Sequence, residues 1–517
     1  MANTDRNRQK HSMRIRRLGI DTYREPVIYM HQDCHICRSE GFEARSRIQV
    51  MVNDQSIVAT LNIIRDSLLH PGELGLSDAA WHLLGRPGDD GTAFLSHPEP
   101  LTSLSYVRAK IYGHALSEDQ LNHIMRDIVD GRYDDVHLSA FITACAGNRL
   151  NFDEVVFLTR SMINTGSRLD WEQPIRVDKH CVGGLPGNRT TLILVPIVAA
   201  CGLTIPKTSS RSITSPAGTA DTMETLAPVN LSLEQMRRVV QREGGCIAWG
   251  GAMHLSPADD ILIAVERELD IDSEGQLIAS VLSKKAAAGA THVLIDIPVG
   301  ATAKVRSMNS ARGLADTLIA VGNEISLNVR SRITDGSQPV GRGIGPALEA
   351  RDVLAVLQRR DDAPQDLRER SLELAGDVLE LAGKAGENKG YHLARSILDD
   401  GRAWSKFQAI CEAQGGMREP GVATHRHEVT AEQDGCVTAI DNRRLALAAK
   451  LAGAPVDATA GIDLLVKQGQ RVAKGETLFT VHAESPGELD YVLDYLAAQK
   501  DIITLSLDGE AREQRSA

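Results

Sequence analysis

The sequence predicts an α/β protein: a helical domain and a large α/β domain with a mainly parallel sheet, plus a β-rich N-terminal module and a C-terminal α+β domain. Three observations carry that expectation. From Trp171 to about residue 322, short apolar strand patterns alternate with helix-length segments, as in βα units that build a parallel sheet. β-branched runs punctuated by Asn, Asp and Gly fill much of the first hundred residues, and short strand patterns return after Val429.

In chain order, residues 1–95 form the β-rich module, with strands expected at 26–30, 45–52 and 56–61 and a linker at 85–92 and 96–100, where Gly and Pro cluster. The helical domain covers 101–170, joined by part of 257–288. Its clearest helix opens with the capping box Ser117-Glu-Asp-Gln120, after which Leu121, Ile124, Met125 and Ile128 share one face before Gly131. The α/β domain covers 171–415. Its strands are expected at 175–177, 204–207, 246–249 and 292–297, and its helices near 190–201, 219–226, 232–243, 258–268, 275–288 and 308–322, with four more through 414. Residues 425–517 form the C-terminal domain, with strands at 435–440, 463–467, 477–482 and 502–506. That pattern is similar to the lipoyl and biotinyl hammerhead fold, but Lys474 lies in an approach turn rather than a modification hairpin, so no carrier role is expected.

The charge balance narrows the partners. Across 517 residues, 57 Lys and Arg face 68 Asp and Glu for a net charge of −11, which argues against a nucleic-acid polymer or an anionic membrane. No run of about 18 apolar residues occurs and none follows the basic residues 1–17, so the chain is expected to be cytoplasmic, with no membrane partner. Eight cysteines over this length do not suggest a disulfide framework. Cys34-His-Ile-Cys37 lacks a second CxxC, and no metal or cofactor is expected.

Residues 175–224 hold the chemistry. They read Ile175-Arg-Val-Asp-Lys-His-Cys-Val-Gly-Gly-Leu-Pro-Gly-Asn-Arg-Thr-Thr191, an apolar run from Leu192 to Cys201, then Thr204-Ile-Pro-Lys-Thr-Ser-Ser-Arg-Ser-Ile-Thr-Ser-Pro-Ala-Gly-Thr-Ala-Asp221. Two Gly- and hydroxyl-rich loops each lie between a strand pattern and a helix pattern. Backbone N–H groups and a helix N-terminus converge on an anion in such turns. Lys179, Arg189, Lys207 and Arg211 add charge; Thr190, Thr191, Ser209, Ser210, Thr214, Ser215 and Thr219 add hydroxyls. A Walker loop fails on spacing, since Asn188-Arg189 stands where Gly-Lys belongs after Gly183. No G-x-G-x-x-G follows the first strand either. Lys304, just past the strand 292–297, reaches the same sheet edge. The reading is a phosphate site.

These residues, with Val195-Pro-Ile-Val-Ala-Ala-Cys-Gly202, Gly218-Thr-Ala-Asp221, Ser280-Val-Leu-Ser-Lys-Lys285 and Ala452-Gly-Ala-Pro455, resemble the thymidine/pyrimidine-nucleoside phosphorylase family. The N-terminal module and Pro186 resemble its longer branch, which includes bacterial proteins named as thymidine phosphorylases and archaeal AMP phosphorylases. The resemblance implies a pentosyltransferase that cleaves a nucleoside with inorganic phosphate as co-substrate, in a cleft between helical and α/β domains, as a homodimer or larger homo-oligomer. It implies phosphate contacts from Lys179, Gly183, Gly184, Thr191, Ser209 and Thr219, and His180 at the leaving base. Ser280 and Lys284 match its base-contacting residues. In the AMP-cleaving pattern Asp272 is the proton donor, with Ser210, Arg211, Ser212, Ile213, Thr214, Ser215, Ser280 and Lys304 around the nucleotide. Thymidine is the expected substrate and a nucleoside 5′-monophosphate the alternative. A nucleotide sensor and a phosphoribosyltransferase are further readings of the same scaffold. Where shorter members have Ser after the Lys-His pair, this chain has Cys181, a weak donor, which is expected to be structural.

Overall fold

The structure, a computed structural model, describes residues 12–212, 215–253, 255–271, 273–499 and 501–506. Of the expected site residues, Ile213, Thr214 and Asp272 lie outside the described residues. The chain divides into two compact units, 1–144 and 145–517.

In the first unit six strands, β1 (Ser12–Arg17), β2 (Val27–His31), β3 (Arg47–Val52), β4 (Gln55–Ile64), β5 (Glu73–Leu76) and β6 (Thr92–Ser96), close into a barrel in the order β1-β5-β2-β4-β3-β6. Closure removes open sheet edges. Alternation fills the interior: Met13 and Ile15 of β1, Ile48, Val50 and Val52 of β3, and Ala93 and Leu95 of β6 are all buried. Two expectations are corrected here. The stretch at 92–96, between the two expected linker pieces, is the strand that closes the barrel onto β1 and β3. The basic residues 12–17 hide an amphipathic strand whose arginines face outward. Helices Ser103–Ile111, Glu118–Val129 and Asp135–Cys145 follow. The second carries the capping box, with Ser117 and Gln120 each bonded to the other's backbone N–H.

In the second unit five strands run parallel: β7 (Val177–Cys181), β8 (Ile205–Ser209), β9 (Gly245–Trp249), β10 (His292–Val299) and β11 (Asn328–Asp335). β11-β10-β7 and β8-β9 meet at an Arg176–Thr204 bridge, where the Val177 N–H donates to the Thr204 carbonyl at 2.9 Å. The order is therefore β11-β10-β7-β8-β9. Helix Thr190–Ala200 is buried from Thr190 to Ala199, as a helix apolar on every side must be. Helices Gln365–Leu381 and Arg402–Gln414 pack against it, and helix Phe152–Thr165 packs on helix Glu274–Ala287.

Two shifts matter for the site. The first parallel strand is 177–181, not 175–177, so Asp178, Lys179 and His180 lie in the sheet rather than in the loop; polar side chains sit in this buried strand because each of its charges meets a buried counter-charge. β11 was not expected, since Asn-Val-Arg-Ser-Arg-Ile-Thr-Asp is a half-exposed edge strand with little apolar signal. Beyond it, β12 (Gly343–Ile344), β13 (His425–Thr430), β14 (Gly435–Ile440), β15 (Gly461–Leu464), β16 (Arg471–Val472), β17 (Thr477–Ala483) and β18 (Ile503–Ser506) form two antiparallel sheets, β12-β15-β17-β13 and β16-β14-β18. The strand expected at 463–467 is thus 461–464; Leu465 onward leads into the next turn. Among the described residues no helix is long and apolar enough to cross a membrane.

Candidate functional site

Parallel strands put all their C-terminal ends on one edge, where ligands collect in α/β sheets. Three loops leave that edge: 182–189 after β7, 210–218 after β8 and 300–307 after β10. They touch. Gly184 has φ +79°, and a Cβ built there would lie 2.5 Å from the Lys304 backbone N, so only glycine admits this approach. Arg189 of the first loop donates to Thr219 Oγ1 at 3.2 Å and to the Ala217 carbonyl at 2.8 Å. The Arg189 guanidinium also pairs with buried Glu349, whose carboxylate accepts the Thr222 hydroxyl at 2.9 Å.

Alternation along β7 sends successive side chains to opposite faces, and each face carries a buried ionic network. On one, the Asp178 carboxylate lies 3.2 Å from Lys207 Nζ and 2.7 Å from Lys285 Nζ, all three buried. Burial pushes the Asp178 carboxyl up, but the two ammonium groups outweigh it and hold it below the usual range. Burial, reinforced by Lys285 and opposed by Asp178, brings Lys207 down to about 7. On the other face Lys179 Nζ donates to Thr190 Oγ1 at 2.9 Å and lies 3.4 Å from Asp296. Asp296 also accepts from Asn188 at 3.2 Å and Thr334 at 2.6 Å.

His180 shares a face with Asp178. It is half-buried, and no described residue hydrogen-bonds its ring. Burial, then the charges of Lys285, Lys207, Lys284 and Lys179, drive its pKa well below 6.5, so it is a neutral imidazole at physiological pH. Cys181 receives the Asn188 amide at 3.4 Å and is pushed up to about 11 by burial and by Asp296, which leaves it a neutral thiol.

Comparison with known proteins follows this layout. Residues 173–404 match the glycosyl transferase family, a/b domain; residues 104–166 match its helical bundle domain; and residues 436–502 match the pyrimidine nucleoside phosphorylase C-terminal domain. A "Putative thymidine phosphorylase" of Polaromonas sp. is 60% identical over 493 residues, 95% of this chain and 96% of that protein. Another of that name, from Legionella pneumophila (strain Corby), is 60% identical over 96% of each chain. The chain belongs to the thymidine/pyrimidine-nucleoside phosphorylase family. The fold is also that of anthranilate phosphoribosyltransferase from Thermus thermophilus, with a TM-score of 0.50 at 20% identity over 60% of this chain and 98% of that one.

Within this phosphorylase-family chain the expected site residues fall into three groups. Lys179, His180, Gly183, Gly184, Thr191, Ser209, Thr219 and Lys304 all sit on the edge with the three loops. Lys179 is only 1% exposed, however, and its ammonium is engaged by Thr190 and Asp296. The second loop is tied to itself. Asp221 accepts the N–H groups of Ser212 at 2.7 Å and Gly218 at 2.9 Å; Arg211 pairs with Asp221 and Glu224; Ser215 donates to the Ala217 carbonyl. Ser210 is exposed. Ser280 and Lys284, one helical turn apart, share a face of helix Glu274–Ala287, where Lys284 pairs with Asp259 at 2.7 Å and still acts on His180.

Sequence reasoning passed over Asp178, Lys285, Asp296, Asn188 and Glu349. Asp296 carried a signal, a lone carboxylate in the apolar strand Leu294-Ile-Asp-Ile297. Lys285 carried none that set it apart from Lys284, because a 100° turn of helix decides which of the two meets Asp178.

Proposed function

We propose that this chain catalyses phosphorolysis of a nucleoside N-glycosidic bond, most directly thymidine + phosphate = thymine + 2-deoxyribose 1-phosphate. The observation that carries it is the neutral, unpartnered His180 at the end of β7, ringed by lysines and by two loops that follow parallel strands. In this reaction a phosphate oxygen bonds to C1′ as the C1′–N bond breaks, and the electron pair leaves with the base. A neutral imidazole N–H donates to the base oxygen on which that charge gathers. Such help is worth ~10²–10⁴ in rate.

On this reading Lys179, Thr191, Ser209 and Thr219, with the backbone at Gly183 and Gly184, hold phosphate. Ser280, Lys284, Lys304 and residues 210–215 contact the nucleoside. Residues 171–415 then carry the phosphate site, and the short antiparallel strands after residue 425, one sheet of which is extended by β12, are compatible with a hammerhead-like domain. No metal is required. The alternative substrate, a nucleoside 5′-monophosphate with Asp272 as acid, asks for a second phosphate subsite. Lys207, buried in β8, and Arg211 of the second loop are already paired with carboxylates, which favours the unphosphorylated nucleoside. Incubation with phosphate plus thymidine or AMP, followed for free base, tests this. Base released from AMP and not from thymidine reverses the choice; base released from neither refutes the reaction.

A further inference from the structure

Away from the loops, the second unit holds a cavity of about 370 Å³ lined by helix Pro346–Leu357 and by strands of the sheet β12-β15-β17-β13. Register puts Arg426 of β13 directly opposite His482 of β17, and Asp463 of β15 opposite Thr480, two residues from His482 and so on the same face. Arg351 lines the cavity from the helix.

Some charged groups at this cavity are engaged. The Asp352 carboxylate accepts the N–H groups of Arg342 and Gly343 at 2.6 and 2.8 Å. Asp362 takes both ends of Arg360 at 2.9 Å. Others are open. His482 is 6% exposed and its enclosed Nδ1 has no hydrogen-bond partner, an arrangement that is destabilising and uncommon in folded proteins. Among the described residues, the Arg426 side chain makes no hydrogen bond or ion pair, and the Asp463 carboxylate accepts none.

We propose that this cavity is a second ligand site, for a sugar phosphate. Arg426 presents an uncommitted guanidinium, whose planar fork suits phosphate oxygens, and Arg351, one of whose amino groups already donates to the Gly421 carbonyl, adds a second positive charge. His482 Nδ1 and the Asp463 carboxylate are acceptors, and sugar hydroxyls are their natural donors. Burial and the two arginines bring His482 down to about 4, so its ring is neutral and one nitrogen is free to accept. The volume suffices for a pentose phosphate. The site is independent of the reaction proposed above, because none of its residues belongs to the three loops.

The test is calorimetric titration of the full chain with ribose 5-phosphate and, separately, with inorganic phosphate, for the wild type and Arg426→Ala. Arg426 is exposed, so its replacement leaves the fold intact, which the melting temperature checks. The wild type is expected to show a ribose 5-phosphate event that Arg426→Ala weakens at least tenfold, with Arg426→Lys in between and His482→Leu also weakened. Superimposable titrations of wild type and Arg426→Ala overturn the proposal. Equal Arg426-dependent affinity for inorganic phosphate and ribose 5-phosphate overturns the assignment to an ester.

Discussion

Replacing Asp178 by Asn removes the one carboxylate between two buried ammonium groups. At 3.2 and 2.7 Å, and with an effective dielectric constant of about 20, the two attractions are worth roughly 5 and 6 kcal/mol gross. Desolvation offsets much of that, and breaking a buried pair costs about 3–5 kcal/mol net. In a unit this large the melting temperature moves by ~2 °C or less per kcal/mol, so a drop of up to roughly 6–10 °C is expected. Lys207 gives the loss a pH signature. Its folded pKa, already about 7, falls further without Asp178, so the unfolded state binds its proton more readily over a wider range. Unfolding free energy then falls faster on acidification in the variant than in the wild type. The gap is therefore expected to widen below pH 7, as read by calorimetry from pH 6 to 9. A shift under 1 °C, or a gap that narrows on acidification, would show that Asp178 does not balance these lysines.

His180→Ala is expected to lower kcat by ~10²–10⁴ with little change in phosphate affinity; unchanged turnover removes the histidine from the reaction. In the wild type the His180 C2–H NMR signal is expected to stay in its neutral position from pH 6 to 8, and to titrate at higher pH when phosphate dianion offsets the lysine charges; a midpoint near 6.5 without phosphate contradicts the burial argument. Because that folded pKa is depressed, His180 contributes a stability that rises with pH up to its unfolded value and is absent from His180→Gln. Gly184→Ala meets both a positive φ and the Lys304 backbone, whereas Gly183→Ala, at φ +94° with nothing within 4 Å, meets only backbone strain. The former is expected to cost ~1–3 kcal/mol and most activity, and equal melting temperatures for the two variants would dismiss the contact. Cys181, held near 11, is expected to resist iodoacetamide at pH 8, and Cys181→Ser to retain activity.

Much of the α/β order was legible because period and punctuation are local. Helix 190–200 is written in consecutive apolar or small residues, and the loops in their glycines. Strand β7 was misplaced by two residues because its polar side chains look like loop until Lys207, Lys285 and Asp296 are known to meet them. Those partners lie from 29 to 117 positions along the chain, and no local pattern contains them. The barrel strands at 12–17 and 92–96 were hidden in the same way, each being stabilised mainly by the other and by β3 or β5. At the candidate site the loops were visible, but not the way Arg189 bolts one to the next.

The buried helix Thr190–Ala200 has a further consequence. The loop ahead of it is fastened to a helix buried from Thr190 to Ala199, so the loop cannot shift at its far end without disturbing the core. The amides of that helix should exchange only on opening of the whole unit, while those of the loop at exposed Gly184 stay free to meet an anion. An anion arriving at this edge meets a surface already set, and whatever rearrangement accompanies turnover must be made by elements that move towards it.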